Sequence, residues 1–121
     1  MSHWSPKSII TLWIRISDEL GIPCDREFGA VIWTVFSNNN RVLDIQGDVL
    51  EAGSFRGAGS KVASICGGDY MDYYMSNLCA DQETVERVRG WLRYHGFILT
   101  DWDEWERGIR EGRYKRPEWM E

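Results

Sequence analysis

The sequence predicts an α+β fold: a mainly helical single domain, residues 1–121, with a small β-sheet and a polar tail from about residue 112. Three observations lead there. Residues 6–20 and 81–95 repeat apolar side chains at the 3.6-residue spacing of an amphipathic helix. Residues 41–46 and 97–100 are short, β-branched or aliphatic, and bounded by Asn or Gly, as strands are. The chain has 121 residues, 43% of them apolar and 13% aromatic, enough for one core and too apolar for simple disorder.

Each element follows from local chemistry. Ser5 suits an N-cap and Pro6 the first helical position. Ile9, Leu12, Trp13, Ile16 and Leu20 then share one face, and Gly21 with Pro23 stops the helix. Asp25 caps the next segment, 26–37, whose apolar run from Phe28 to Phe36 reads as a buried helix. Its β-branched residues keep a buried strand as the alternative, and Asn38-Asn39-Asn40 ends it either way. Residues 41–46 follow as a strand with Leu43 and Ile45 inward.

Glycines at 47, 53, 57 and 59 then punctuate an irregular stretch with one helical turn around Val49–Ala52. Ser60 caps a helix through Ile65, and Asp69 caps another that lines up Met71, Tyr74, Met75 and Leu78. Asp81 opens the strongest helix, with Val85, Val88, Trp91, Leu92 and His95 on its apolar stripe and Gly96 at its end. Residues 97–99 return as a strand, and residues 102–111 form the last helix.

Charge narrows the functional classes. The chain carries 14 basic and 19 acidic side chains, net −5. Residues 61–106 alone hold nine acids against four bases. Such a surface repels nucleic acid at long range and favours basic partners. No apolar run reaches the ~18 residues of a membrane span, so no membrane partner is expected. The N-terminus lacks the blocks of a secretory signal, and three unpaired-looking cysteines fit a reducing cytoplasm.

The segment Ser76-Asn77-Leu78-Cys79-Ala80-Asp81-Gln82-Glu83-Thr84-Val85, continuing to Gly90-Trp91-Leu92-Arg93-Tyr94-His95-Gly96-Phe97-Ile98, resembles a winged helix-turn-helix over residues 69–100. That resemblance implies a recognition helix at 81–95, a wing hairpin after it, and nucleic-acid contacts from Arg87, Arg89 and Arg93. The early positions depart from the pattern: Asp81, Glu83 and Glu86 repel a duplex, and Glu83 can pair with Arg87 at i,i+4.

Other constellations favour plain readings. Arg56 and Gly57-Ala58-Gly59-Ser60-Lys61 could attract an anion, but the Walker and dinucleotide spacings both fail. Cys24, Cys66, Cys79 and His95 lack the close spacing of a structural zinc site, so neither a metal nor a cofactor is expected. The pairs Asp69/Asp72 and Asp101/Asp103 read as helix caps and solvated charge, with no catalytic residue beside them.

Asp101-Trp102-Asp103-Glu104-Trp105-Glu106 is the most unusual stretch, with four carboxylates and two indoles in six residues. Its bland reading packs both tryptophans inward. Its functional reading is an acidic rim around aromatic anchors, suited to docking on a basic protein surface. The following Arg107, Arg110, Arg113, Lys115 and Arg116 either neutralise the acids within the chain or form a second contact.

The expected function is therefore protein binding: a small bacterial or phage-encoded module that blocks or modulates a basic, nucleic-acid-handling protein. Anti-CRISPR and other anti-defence proteins share this small, acidic, motif-poor character. A winged-helix DNA-binding regulator is the alternative, and an enzyme whose site assembles only in the fold is the third reading.

Overall fold

A computed structural model describes residues 6–36, 40–50 and 79–115, with the side chains of residues 6–9 excepted. The Ser5 cap, the Ile9 contact, Asn38 and Asn39, the glycine-punctuated stretch from residue 51 onward with Lys61 and Cys66, the helices begun by Ser60 and Asp69, and Arg116 lie outside the described residues.

Helix α1 spans Pro6–Leu20 and α2 spans Arg26–Phe36. Strand β1 is Asn40–Leu43, α3 is Gln82–Tyr94, β2 is Ile98–Asp101 and α4 is Trp102–Arg110. The architecture is the expected one, mainly helical with a two-stranded antiparallel sheet. Helix wins over strand at residues 26–36. The Asp25 carboxylate accepts from the Phe28 amide at 3.0 Å, and the side-chain amide of Asn40 donates to the Thr34 carbonyl at 2.5 Å in the last turn. All residues from Phe28 to Phe36 except Thr34 are buried, so the high β-propensity of Val31, Ile32 and Val35 is overridden by packing on every side.

The sheet separates two apolar clusters. Its register sets Arg41 opposite Thr100, Val42 opposite Leu99 and Leu43 opposite Ile98. Alternate residues face alternate sides. Val42 and Leu99 join the main core, built from Leu12, Trp13 and Ile16 of α1, most of α2, and Val85, Val88, Trp91 and Leu92 of α3. Leu43 faces the other way, into a smaller cluster with Val49 and Trp105, flanked by Ile109 and Tyr114. Helix α4 thus covers the face of the sheet that the other helices leave.

Sequence expectations give way after β1. The strand stops at Leu43 rather than Gln46. Asp44 accepts from the amides of Gln46 and Asp48 at 2.8 and 3.0 Å, an Asx-type turn, and Gly47 adopts φ 88°. The chain reverses, so Val49 bridges back to Leu43 and the Leu50 amide donates to the Val42 carbonyl at 2.9 Å. Val49 therefore bridges to the sheet rather than opening the expected helical turn, whose residues 51–52 lie outside the described residues. Ile45, expected inward, rides the tip of this turn at 75% exposure. Beyond α4 the backbone stays in contact with the helix. The amides of Arg113 and Tyr114 fold back to the Gly108 carbonyl at 2.7 and 3.1 Å, and the Tyr114 ring lies on Gly108. Gly112, Arg113 and Lys115 are exposed, while Tyr114 is half-buried against α4.

Helix α3 ends in a Schellman motif: the Gly96 amide donates to the Arg93 carbonyl and the Phe97 amide to that of Leu92, both at 3.0 Å. Gly96 sits at φ 89°, and a Cβ there would come within 2.7 Å of the Ile45 side chain. Gly96→Ala is expected to lower stability by about 1–2 kcal/mol through the left-handed backbone alone. Urea unfolding checks this. The Ile45 contact itself yields easily because that side chain is at an exposed tip, so an Ile45→Ala background should not rescue the loss.

Candidate docking site

The tryptophans at 102 and 105 have opposite fates. Helix α4 begins as β2 ends, with Asp101 as N-cap, its carboxylate accepting from the Glu104 amide at 2.7 Å. From that start Trp105 points onto the sheet and is 1% exposed, whereas Trp102 stays at the rim at 36%. The rings lie 5.7 Å apart and tilted by 54°. Trp105 is therefore a packing residue in this fold and has no surface to offer a partner. Neither the wholly inward reading nor the wholly interfacial one describes the pair.

Arg41 supports both rings from beneath. It is 3% exposed, and its guanidinium carbon lies 4.1 Å from the centre of the Trp102 ring and 5.3 Å from that of Trp105. A cation on an indole face is attracted by the ring quadrupole, and more strongly where water is excluded. Trp102 is thus held on a rigid base. Sequence reading missed Arg41, because a basic residue in a short strand gives no sign of being covered on both faces. The one available signal was alternation, which puts Arg41 on the same side as Leu43.

The acids around Trp102 are not equivalent. Asp101 and Asp103 are exposed, Glu104 and Glu106 half-buried. Glu104 is neutralised within the chain, meeting Arg107 at 3.0 Å and Arg113 at 2.9 Å. Arg113 also holds Glu111 at 2.9 Å, and its pKa is raised by hydrogen bonding to Glu104 first and Glu111 second. The basic tail residues therefore satisfy part of the acidic stretch. Among the described residues Asp103 and Glu106 enter no ion pair, and Asp101 stays exposed while capping α4. Beside them a cavity of about 350 Å³ brings together Asn40, Arg41, Arg89, Thr100, Asp101 and Glu104.

The residues of the winged-helix alternative are placed differently from its pattern. Arg87 does not pair with Glu83; it donates to the Leu20 carbonyl at 2.8 Å and ties α3 to the end of α1. Arg89 is held by Glu86 at 2.6 Å. Arg93 is exposed. Strand β2 pairs with β1, which precedes α3, and runs straight into α4, so no wing hairpin follows the helix. Asp81 and Glu83 remain exposed at the head of α3. The Thr84 hydroxyl donates to Asp81 at 2.5 Å, and this bond above all lowers the Asp81 pKa and keeps it anionic. Duplex binding at physiological salt is accordingly expected no tighter than the non-specific range of about 10⁻⁴–10⁻⁶ M. A fluorescence titration with labelled duplex checks it, and nanomolar binding lost on Arg93→Ala would reverse the conclusion.

Two further places bring polar side chains together. At the α1–α3 seam the Trp91 indole donates to Glu19 at 3.2 Å, Arg15 pairs with Glu19 at 2.6 Å, and His95 lies 3.9 Å from the same carboxylate. These bonds, Arg15 foremost, lower the Glu19 pKa. The group clamps two helices and leaves His95 beside Trp91 with ring centres 4.0 Å apart. A larger cavity, about 640 Å³, lies between the heads of α2 and α3, with Asp25, Phe28, Val31, Cys79 and Asp81 on its walls. Asp25 is committed there as a cap and Asp81 to Thr84. Cys24 and Cys79 are exposed, and among the described residues no group of three or more His, Cys, Asp or Glu side chains could hold a metal ion. Among those residues, too, no helix is long and apolar enough to cross a membrane.

No protein-family model matches the chain, and no curated protein or solved structure matches it either.

Proposed function

We propose that the protein is an acidic protein-binding module that docks on a basic surface of its partner through the first turns of α4, and so blocks or modulates that partner. The observation that carries this reading is Trp102: a large aromatic side chain, one-third exposed, braced from below by Arg41 and Trp105 and flanked by Asp101 and Asp103. A pre-positioned aromatic loses little conformational entropy on binding, which is why such residues are strong anchors. The exposed carboxylates beside it favour approach to a positive patch and set register. The partner's basic surface is of the kind found on nucleic-acid-handling proteins.

The test captures partners on the immobilised protein before and after nuclease treatment, then compares Trp102→Ala and Asp103→Lys/Glu106→Lys variants for the same partner. A nuclease-resistant protein partner lost with these variants supports the proposal. Retention by folded variants overturns it.

A further inference from the structure

Among the described residues, the backbone beside this site has one strand edge that no backbone hydrogen bond reaches. The Val42 carbonyl accepts from the Leu50 amide, on the side of β1 away from β2, and the Asp44 amide donates to Asp48 on that same side. In an antiparallel ladder the peptide groups of successive residues point to opposite edges. Val42 and its opposite number Leu99 therefore form a non-hydrogen-bonded pair, while Arg41–Thr100 and Leu43–Ile98 exchange the bonds that join the strands. It follows that the amide and carbonyl of Leu99 point away from β1, together with the carbonyl of Phe97 and the amide of Asp101. Among the described residues no backbone hydrogen bond reaches those four groups, whereas the outer edge of β1 is closed by residues 48–50.

We infer that the outer edge of β2 accepts an extended, basic segment of the partner protein as a third, antiparallel strand. The inference rests on the docking role proposed for α4 and adds how the partner's backbone is held. Four outward groups, two donors and two acceptors, match a five-residue segment. The segment's central residue exchanges two bonds with Leu99, its neighbour two positions on donates to the Phe97 carbonyl, and the one two positions back accepts from the Asp101 amide.

Charge selects the occupant. The edge leads directly into Asp101 and Asp103, and the Arg89 charge on the flanking helix is already met by Glu86. Arg41 is turned to Trp102. The net negative end favours Lys or Arg in the added strand. It disfavours a second copy of this chain, which is itself net −5. The central residue's side chain falls on the Leu99 side of the sheet. There the 350 Å³ cavity offers Val35, Val42 and Leu99 to an aliphatic stem and Asp101 to a cationic tip.

The test uses the peptide acetyl-Lys-Val-Lys-Val-Lys-Val-Lys-amide at millimolar concentration, with amide exchange read residue by residue by NMR. Saturating peptide should slow exchange at Leu99 and Asp101 at least tenfold and leave Ile98 and Thr100, already bonded within the sheet, unchanged. Leu99→Pro removes an outward donor that the sheet does not use, and should abolish binding. Its melting curve is compared with that of Leu99→Ala to separate lost packing from lost bonding. Binding that shifts the Trp102 signals but leaves Leu99 exchange unaltered overturns strand addition while the docking face stands. Absence of peptide binding overturns strand addition as well, and the docking face is then judged by its own variants.

Discussion

Trp105→Ala is expected to lower the unfolding free energy by about 3–5 kcal/mol. The residue is the centre of the smaller cluster: with 1% exposure it fills the space between Leu43, Val49, Ile109 and Tyr114. Alanine leaves a cavity that short, tethered neighbours cannot collapse into. Arg41 also loses one of the two rings against which its buried charge rests. Since native domains hold only about 5–15 kcal/mol in all, the variant should melt many degrees lower or fail to fold. Urea titration gives the number, and Trp105→Phe should recover part of it. A loss below about 1 kcal/mol would mean that α4 adds little to the fold and that Trp102 has no rigid support.

Trp102→Ala should behave in the opposite way, leaving the fold nearly intact and weakening the partner complex by about 2 kcal/mol, or roughly 30-fold, mainly through faster dissociation. Its cost to stability should stay near about 1–3 kcal/mol, because the interior loses the Arg41 pairing and the Trp105 ring contact and no buried volume is left empty. Asp103→Lys with Glu106→Lys should act on a different quantity, slowing association and flattening its salt dependence, since rim charges work by steering. Asp101 is a poor choice for the same test. It caps α4, and its replacement removes a helix-ending bond along with a charge. Association and dissociation rates measured at two salt concentrations, beside melting curves, separate these effects. If Trp102→Ala unfolds the protein while the charge reversals bind normally, the interface lies elsewhere.

The contrast between these two tryptophans marks the boundary of what the sequence reveals. Helices α1, α3 and α4 are set by local terms: apolar spacing over three or four turns, Asp101 at one start, and glycines at 21, 96 and 112 that take the left-handed position after each helix. Those terms act between residues a few positions apart, so they are legible in order along the chain. The helices of the α+β fold follow from them, and short apolar segments near 41 and 99 mark the two strands that pair.

What only the tertiary structure decided is the fate of side chains whose neighbours come from far away. Alternation alone put Leu43 and Ile45 on one buried face. The fold instead covers β1 on both sides, buries Arg41 beneath two indoles, and turns the chain so that Ile45 leaves the sheet. Likewise Arg87 answers the Leu20 carbonyl, 67 residues away, in place of Glu83 one turn back. Helical spacing sets Trp102 and Trp105 on one face, but which of them is buried depends on where that face meets the sheet. That meeting is a sum of many weak, long-range packing contacts, which no short window of sequence contains.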